Sequence, residues 1–167
     1  MAESNYIELV RSLPRCAFIS QYGGHFLLKR PKLGVAAGQL STGIGFATAT
    51  IEIDFDPYAA LWQVFPVVKR PDTPFPEQIS VGRANNCDVV LRVPSVSKVQ
   101  MHILCGVDGS FSLRDSRASA PISVNRLRLS SGEIRVLKSG DLIQFGAFEL
   151  EFVDAPRLHD VIIAAAR

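Results

Sequence analysis

The stretch Ile79–Leu91, ISVGRANNCDVVL, decides how this chain is interpreted, and PSVSK at 94–98 follows it closely. An apolar alternation ends at Gly82, Arg83 comes directly after it, and a second apolar run begins at Val89 beyond a short polar loop. Short apolar runs bounded by turn residues are typical of β-strands. The stretch therefore predicts two strands joined by a loop in which an arginine faces solvent.

The same pattern continues along the chain after Ala60. Short apolar runs recur with turn signals between them, at Leu61–Lys69, Gln78–Gly82, Asp88–Arg92, Gln100–Gly106, Ser110–Arg114, Ser123–Leu129, Ile134–Val136, Asp141–Phe145 and Phe148–Val153. Many short strands at such spacing indicate an all-β sandwich or barrel.

The residues before Ala60 follow a less regular pattern. The spacing of apolar residues predicts a short helix over Ser4–Leu13, which Pro14 would end. Further predictions are a loop at Leu33–Thr48 and strands at Cys16–Ser20, His25–Leu28 and Thr48–Phe55. These strands are too few and too short to bury a separate core easily, so we expect the segment to pack on the sandwich. The alternatives are that it forms a small second unit or supplies a docking surface for a partner.

The C-terminal residues Pro156–Arg167 have apolar residues at helical spacing, and Pro156 suits a first helical turn. The predicted organisation is thus an N-terminal extension over 1–58, a β-sandwich over 59–154 and a helix over 155–167.

Composition excludes several classes of protein. Hydrophobic residues make up 47% of the 167 residues and charged residues 20%, so we do not expect a disordered chain. A net charge of +2, with both signs interspersed, is too weak to indicate nucleic-acid binding. No apolar run approaches the roughly 20 residues of a membrane span, and the N-terminus lacks a signal-peptide pattern. Three cysteines without a CxxC pair favour reduced thiols and a cytoplasmic location.

The sequence offers little support for catalysis, a metal site or a cofactor. His25, His102 and His159 are scattered without metal-ligand spacing, and no GxSxG or P-loop motif is present. Gly43-Ile44-Gly45 lacks the third glycine and the following helix of a dinucleotide loop. We therefore predict a non-enzymatic protein without metal or cofactor.

The ordered motifs resemble those of forkhead-associated (FHA) domains, which are β-sandwiches that read phosphothreonine on partner proteins. The matching pieces are ISVGRANNCDVVL, PSVSK, LRD at 113–115, SVN at 123–125, Leu137, SGDLIQFG at 139–146 and ELEF at 149–152. The resemblance implies an all-β fold, an FHA-type sandwich of about eleven strands with an N-terminal extension and a short C-terminal helix.

The resemblance also implies a phosphopeptide site. Arg83 and Ser97 would contact phosphate, Lys98 would add charge or contact the peptide backbone, and Ser119 falls where the family often has another phosphate contact. Gly82, Gln100 and Asn125 would support these loops. The chemistry is consistent, because a phosphothreonine carries nearly two negative charges and three strong acceptor oxygens.

Two departures from the family pattern affect this expectation. The family has a histidine three residues after the serine, and this chain has Gln100 at that position. Its amide can also donate and accept hydrogen bonds, so it can replace the histidine in part. The family Asn-Gly that holds the peptide backbone is Ala120-Pro121, and alanine offers no side-chain hydrogen bond.

Two functions therefore remain open. The first is a non-catalytic signalling adaptor that binds phosphothreonine-containing protein segments, with a Ser/Thr kinase or its substrates as candidate partners. It is favoured by the retained Gly82, Arg83 and Ser97. The second is a degenerate FHA module that assembles with partners independently of phosphate, and it is favoured by Ala120-Pro121.

Overall fold

The computed structural model describes residues 5–32 and 61–166. Within them the chain forms three helices, α1 (Asn5–Ser12), α2 (Arg15–Tyr22) and α3 (Ala155–Ala165). It also forms eleven strands, β1 (His25–Lys29), β2 (Gln63–Pro66), β3 (Gln78–Gly82), β4 (Val89–Val90), β5 (Met101–Cys105), β6 (Phe111–Asp115), β7 (Ile122–Val124), β8 (Leu127–Arg128), β9 (Ile134–Leu137), β10 (Asp141–Phe145) and β11 (Phe148–Asp154). The predicted all-β sandwich with a short C-terminal helix is confirmed.

The strands form two sheets that pack face to face. One has the order β2-β1-β11-β10-β7-β8, and the other has the order β4-β3-β5-β6-β9. Their pairs are antiparallel except β3 with β4, which run parallel. The main core lies between the sheets and includes Leu27, Val81, Ile103, Leu113 and Phe152. Alternating side chains of each strand supply this core, as expected for a sandwich.

The three helices cover the outer face of the six-stranded sheet. A second core joins Val10 of α1, Phe18 of α2 and Leu158 of α3 to Phe26 and Leu28 of β1. Because β1 pairs with both β2 and β11, the predicted N-terminal extension contributes an internal strand to the sandwich sheet. The division at 1–58, 59–154 and 155–167 stays a prediction.

The strand predicted at Cys16–Ser20 is wrong, because these residues belong to α2. Pro14 ends the first helix and also begins the second, since its carbonyl accepts a hydrogen bond from Phe18 N at 3.0 Å. Phe18 is then fully buried against the other helices. The prediction of α1 is confirmed, and the predicted loop and strand at 33–55 lie outside the described residues.

None of the helices in residues 5–32 and 61–166 has the length and apolar character needed to cross a membrane.

Candidate functional site

The loop after β3 is joined to the loop before β5 through backbone hydrogen bonds. Arg83 N donates to the Ser97 carbonyl at 2.9 Å, and Ala84 N donates to the Lys98 carbonyl at 3.0 Å. Two residues that are 14 positions apart in the sequence, Arg83 and Ser97, are therefore neighbours. The predicted phosphate contacts Arg83 and Ser97 lie together at one end of the five-stranded sheet.

Gly82 permits this close approach of the two loops. A Cβ atom at this position would lie 2.3 Å from the Lys98 carbonyl oxygen and 2.8 Å from Val99 Cα. The glycine is required here for space, since any side chain would collide with backbone that cannot rotate away.

The side chain of Arg83 is exposed but partly oriented by the same loop. Its Nε donates to the Val96 carbonyl at 3.0 Å, and within the described residues its two Nη groups have no partner. A guanidinium fixed through Nε presents its terminal N–H groups in a defined direction. Such a fork suits the oxygens of a phosphate or carboxylate.

Ser119 lies beside Ser97 although the two belong to different loops. Their hydroxyl oxygens are 3.1 Å apart and form a hydrogen bond in which either can donate. Both hydroxyls are accessible, with Ser119 exposed and Ser97 half-buried. The structure thus brings Arg83, Ser97 and Ser119 together.

Gln100 connects the same two loops from beneath. Its Oε1 accepts from Ser97 N at 3.3 Å, and its Nε2 donates to the Ala120 carbonyl at 3.1 Å. The residue is completely buried. The amide therefore bridges the loops, whereas His102 points to the outer face of the five-stranded sheet, opposite Ser80 and Arg114.

Lys98 and Asn125 have different positions relative to this group. Lys98 is exposed, and its carbonyl, not its side chain, holds the Arg83 loop. Asn125 lies in the tight turn between β7 and β8, with φ of 51°. Its amide donates to Asp141 Oδ1 at 2.9 Å and accepts from Leu142 N at 2.9 Å. Asn125 therefore fixes the hairpin to β10.

Sequence reasoning missed the part played by Asp88, whose carboxylate is fully buried. It accepts hydrogen bonds from Arg70 N, Thr73 Oγ1, Ser80 N and Ser80 Oγ at 2.6–2.9 Å, and pairs with Lys69 Nζ at 3.1 Å. Burial raises the pKa of Asp88, but these hydrogen bonds outweigh it and hold the pKa well below its ordinary value. A lone acidic residue directly before the buried Val89 was the available signal.

This network also restrains the Arg83 loop. Arg70 Nη1 donates to the carbonyls of Asn85 and Cys87 at 2.7 and 3.0 Å. The proline-rich connector at 71–76 and the Arg83 loop are thus joined on both sides of Asp88.

The rebuilt turn Ala120-Pro121 has a structural role of its own. Ala120 is half-buried and packs against the main core, while its carbonyl accepts from Gln100. Pro121 has no N–H to offer a bound peptide. The turn therefore supports the fold without the side-chain amide that the resemblance would place there.

Within residues 5–32 and 61–166, no group of three or more His, Cys, Asp or Glu side chains is arranged to hold a metal ion.

Residues 79–146 match the family model of the FHA domain. The N-terminal FHA domain of S. cerevisiae Rad53p with a phosphothreonine peptide has a TM-score of 0.46 at 18% identity, covering 59% of this chain and 89% of that one. The MEK1 FHA domain with a HOP1 phosphopeptide has a TM-score of 0.43 at 28% identity, and the match covers 55% of this chain and 88% of that one. Mycobacterium tuberculosis EmbR with a low-affinity phosphopeptide has 0.41 at 26% identity, covering 47% of this chain but only 20% of EmbR.

Among curated proteins, none matches this chain. All three TM-scores are below 0.5, so the assignment rests on the family match, the ordered motifs and the two-sheet topology. The region of residues 79–146 is therefore identified as an FHA domain.

Proposed function

We propose that this chain is a non-catalytic adaptor that binds phosphothreonine-containing segments of partner proteins. The observation that carries the proposal is the convergence of Arg83, Ser97 and Ser119, from three different loops, at one end of the sandwich. Candidate partners are a phosphorylated protein, including a Ser/Thr kinase or its substrates. The cytoplasmic location expected from the sequence stays a prediction.

The chemistry of these groups suits a phosphate. The two Nη groups of Arg83 offer a bidentate, charge-assisted contact to phosphate oxygens, which is stronger than a hydrogen bond between neutral groups. The hydroxyls of Ser97 and Ser119 now bond to each other and would turn to donate to the remaining oxygen. Lys98, exposed on the same loop, adds positive charge.

Recognition of the peptide backbone is the weaker part of this site. Ala120 cannot supply the side-chain amide that the family uses there, and the loss of one hydrogen bond of about 1 kcal/mol corresponds to roughly fivefold lower affinity. We expect the Gln100 bridge to hold the loop in shape, so that its carbonyls and Ser119 replace part of that contact.

A second candidate function is a phosphate-independent interaction module. It is favoured by Ala120, which packs on the core instead of facing a ligand, and by Pro121, which removes a backbone donor. In that case Arg83 would be an exposed loop residue without a role in partner binding.

The test is capture from degenerate phosphothreonine, phosphoserine and unphosphorylated peptide libraries by the purified protein. The variant Arg83→Lys keeps the charge but loses the fork, and Arg92→Lys, at an exposed arginine outside the site, is the matched control. We expect capture of phosphothreonine peptides that Arg83→Lys weakens at least tenfold and Arg92→Lys leaves unchanged. Equal capture of phosphorylated and unphosphorylated libraries would replace the first function with the second.

A further inference from the structure

A cleft lies beside the three residues of the proposed phosphate site. It has a volume of about 260 Å³ and is formed by the loop between β6 and β7 and the loop between β8 and β9. Its lining is mainly polar and consists of Asp115, Arg117, Ala118, Ser119, Pro121, Arg128, Leu129, Ser131 and Gly132. Because Ser119 belongs to both places, a bound segment that reaches Ser119 also reaches this cleft.

Two arginines line the cleft, Arg117 and Arg128. Both are exposed, and in the described part of the chain neither guanidinium has a hydrogen bond or an ion pair. Other arginines are engaged by carboxylates, amides or backbone carbonyls, namely Arg15, Arg30, Arg70, Arg114, Arg135 and Arg157. The cleft therefore has two guanidinium groups available to a ligand.

The backbone at Arg117 adds a second observation. Its φ is 62°, in the left-handed region that non-glycine residues seldom occupy. The turn is held by Asp115 Oδ1, which accepts from Ala118 N at 3.3 Å. Strained residues of this kind tend to cluster at ligand-binding sites, and here the guanidinium of the strained residue has no hydrogen bond or ion pair among the described residues.

The charges of the lining favour an anion. The lining contains two guanidinium groups and one carboxylate, that of Asp115, which already accepts a backbone hydrogen bond. Nothing else in the lining is ionisable. Arginine prefers planar or tetrahedral oxyanions, which it binds through two parallel N–H groups.

We propose that this cleft binds a second anionic side chain of the same partner segment, through Arg117 and Arg128. The inference rests on the proposed phosphothreonine function, because Ser119 links the two places. The anion is an Asp or Glu carboxylate or a second phosphorylated residue. The protein then distinguishes acidic or doubly phosphorylated targets from neutral ones, which compensates for the missing amide at Ala120.

The experiment uses the best phosphothreonine peptide from the library and measures its binding by fluorescence anisotropy. Each flanking position is changed in turn to Glu, Gln and phosphoserine. The test variant is Arg117→Gln with Arg128→Gln, and the charge-matched control is Arg11→Gln with Arg92→Gln, at two exposed arginines outside the cleft.

We expect an anion at one or two positions to strengthen binding about tenfold in the wild type and in the control. In the test variant this preference falls to near unity, while discrimination against the unphosphorylated peptide remains. The preference also weakens as salt is raised, because exposed charges are screened. A larger gain with phosphoserine than with Glu identifies the second phosphate as the ligand, and the reverse identifies the carboxylate.

Three results would overturn the inference. The first is the absence of any anion preference in a wild-type protein that still requires phosphothreonine, which rejects the cleft alone. The second is an anion preference that survives in the test variant, which assigns the preference to other residues. The third is a wild-type protein that binds phosphorylated and unphosphorylated peptides equally, with the same affinities in the Arg83→Lys variant. This result rejects the proposed function and the inference with it.

Discussion

The loop that carries Arg83 and the loop that carries Ser119 lie side by side, but they are held in different ways. The Arg83 loop is fixed from several directions, by the close approach at Gly82, by backbone hydrogen bonds and by the buried Asp88 network. The Ser119 loop has fewer supports, namely the buried amide of Gln100, the hydroxyl pair of Ser97 and Ser119, and a long hydrogen bond from Ala118 N to Asp115 Oδ1.

The difference matches the two roles proposed for these loops, since the Arg83 loop would contact the phosphate and the Ser119 loop would contact the neighbouring peptide residues. A charged group gains most from donors that are already oriented, because reorganisation then costs little on binding. The contact with the neighbouring peptide residues varies with the partner, and a loop with few fixed contacts tolerates such variation. The Arg83 loop retains the family pattern, and the Ser119 loop is where this chain departs from it.

The largest expected effect comes from removing the close approach that fixes the Arg83 loop. Gly82→Ala would place a Cβ 2.3 Å from the Lys98 carbonyl oxygen, so we expect a loss of about 3 kcal/mol or more in the free energy of unfolding. Urea denaturation measures it. Gly109→Ala is the control, since φ there is 81° but the space is open, and its cost should be only about 1 kcal/mol. Equal losses would refute the steric reason.

The next effect concerns the buried carboxylate beside the same loop. Asp88→Asn leaves several donors poorly paired, and we expect a loss of about 2 kcal/mol at neutral pH. Because the pKa of Asp88 is lower in the folded state, its stabilisation is complete above about pH 4, the unfolded value, and is lost as the pH falls towards the folded value.

The measurement is the urea midpoint of wild type and Asp88→Asn at pH 7 and at pH 3. The difference between the two proteins should shrink at pH 3. A difference of the same size at both values would mean that the carboxylate charge is not what the network stabilises.

A smaller effect tests the buried amide of Gln100, which supports the Ser119 loop. Gln100→Leu keeps the volume but leaves Ser97 N and the Ala120 carbonyl without this partner, so we expect a loss of about 1–2 kcal/mol. Phosphopeptide affinity should fall as well, while Gln100→His, the residue usual in the family, should restore part of both. Thermal unfolding and peptide titration measure the two effects, and an unaltered affinity in Gln100→Leu would contradict the bridging role.

The smallest effect sharpens the comparison in the hairpin next to the Ser119 loop. Arg126, in the turn between β7 and β8, has φ of 67°, in the left-handed region that glycine adopts most readily. Left-handed backbone costs a non-glycine residue about 1–2 kcal/mol, so a glycine at this position would relieve that cost. Part of the relief is offset because glycine loses more conformational freedom on folding. We expect Arg126→Gly to raise stability by about 0.5 kcal/mol, whereas Arg126→Val should lower it. Calorimetric midpoints would decide, and a lower midpoint for the glycine variant would argue against strain.

Several elements could be predicted from sequence because local signals agree there. The predicted bounds of Gln78–Gly82 and Asp141–Phe145 match β3 and β10, where apolar alternation ends at a glycine or begins at an aspartate. The single strand predicted over Ser123–Leu129 is instead the hairpin of β7 and β8, turning at Asn125-Arg126. That turn lacks glycine, so its usual signal was absent.

Predictions failed where a short segment fits both the helical and the strand spacing of apolar residues. Cys16–Ser20 is too short for periodicity to separate strand from helix, and only burial of Phe18 between the helices decides for α2. Likewise, no local pattern indicated that Gln100 would bridge Ser97 and Ala120, since the partner carbonyl lies 20 positions along the chain.

The sequence alone determined the class of fold and the succession of strands after Ala60, because strand alternation and turn chemistry are local properties. The candidates for the phosphate site came from the resemblance of the ordered motifs to those of FHA domains. Tertiary structure decided how Arg83, Ser97 and Ser119 converge, that the Asp88 network restrains the Arg83 loop and that Arg117 and Arg128 share a cleft. The physical reason is that hydrogen bonding and burial join residues that are distant in sequence, and only the folded chain brings them within reach.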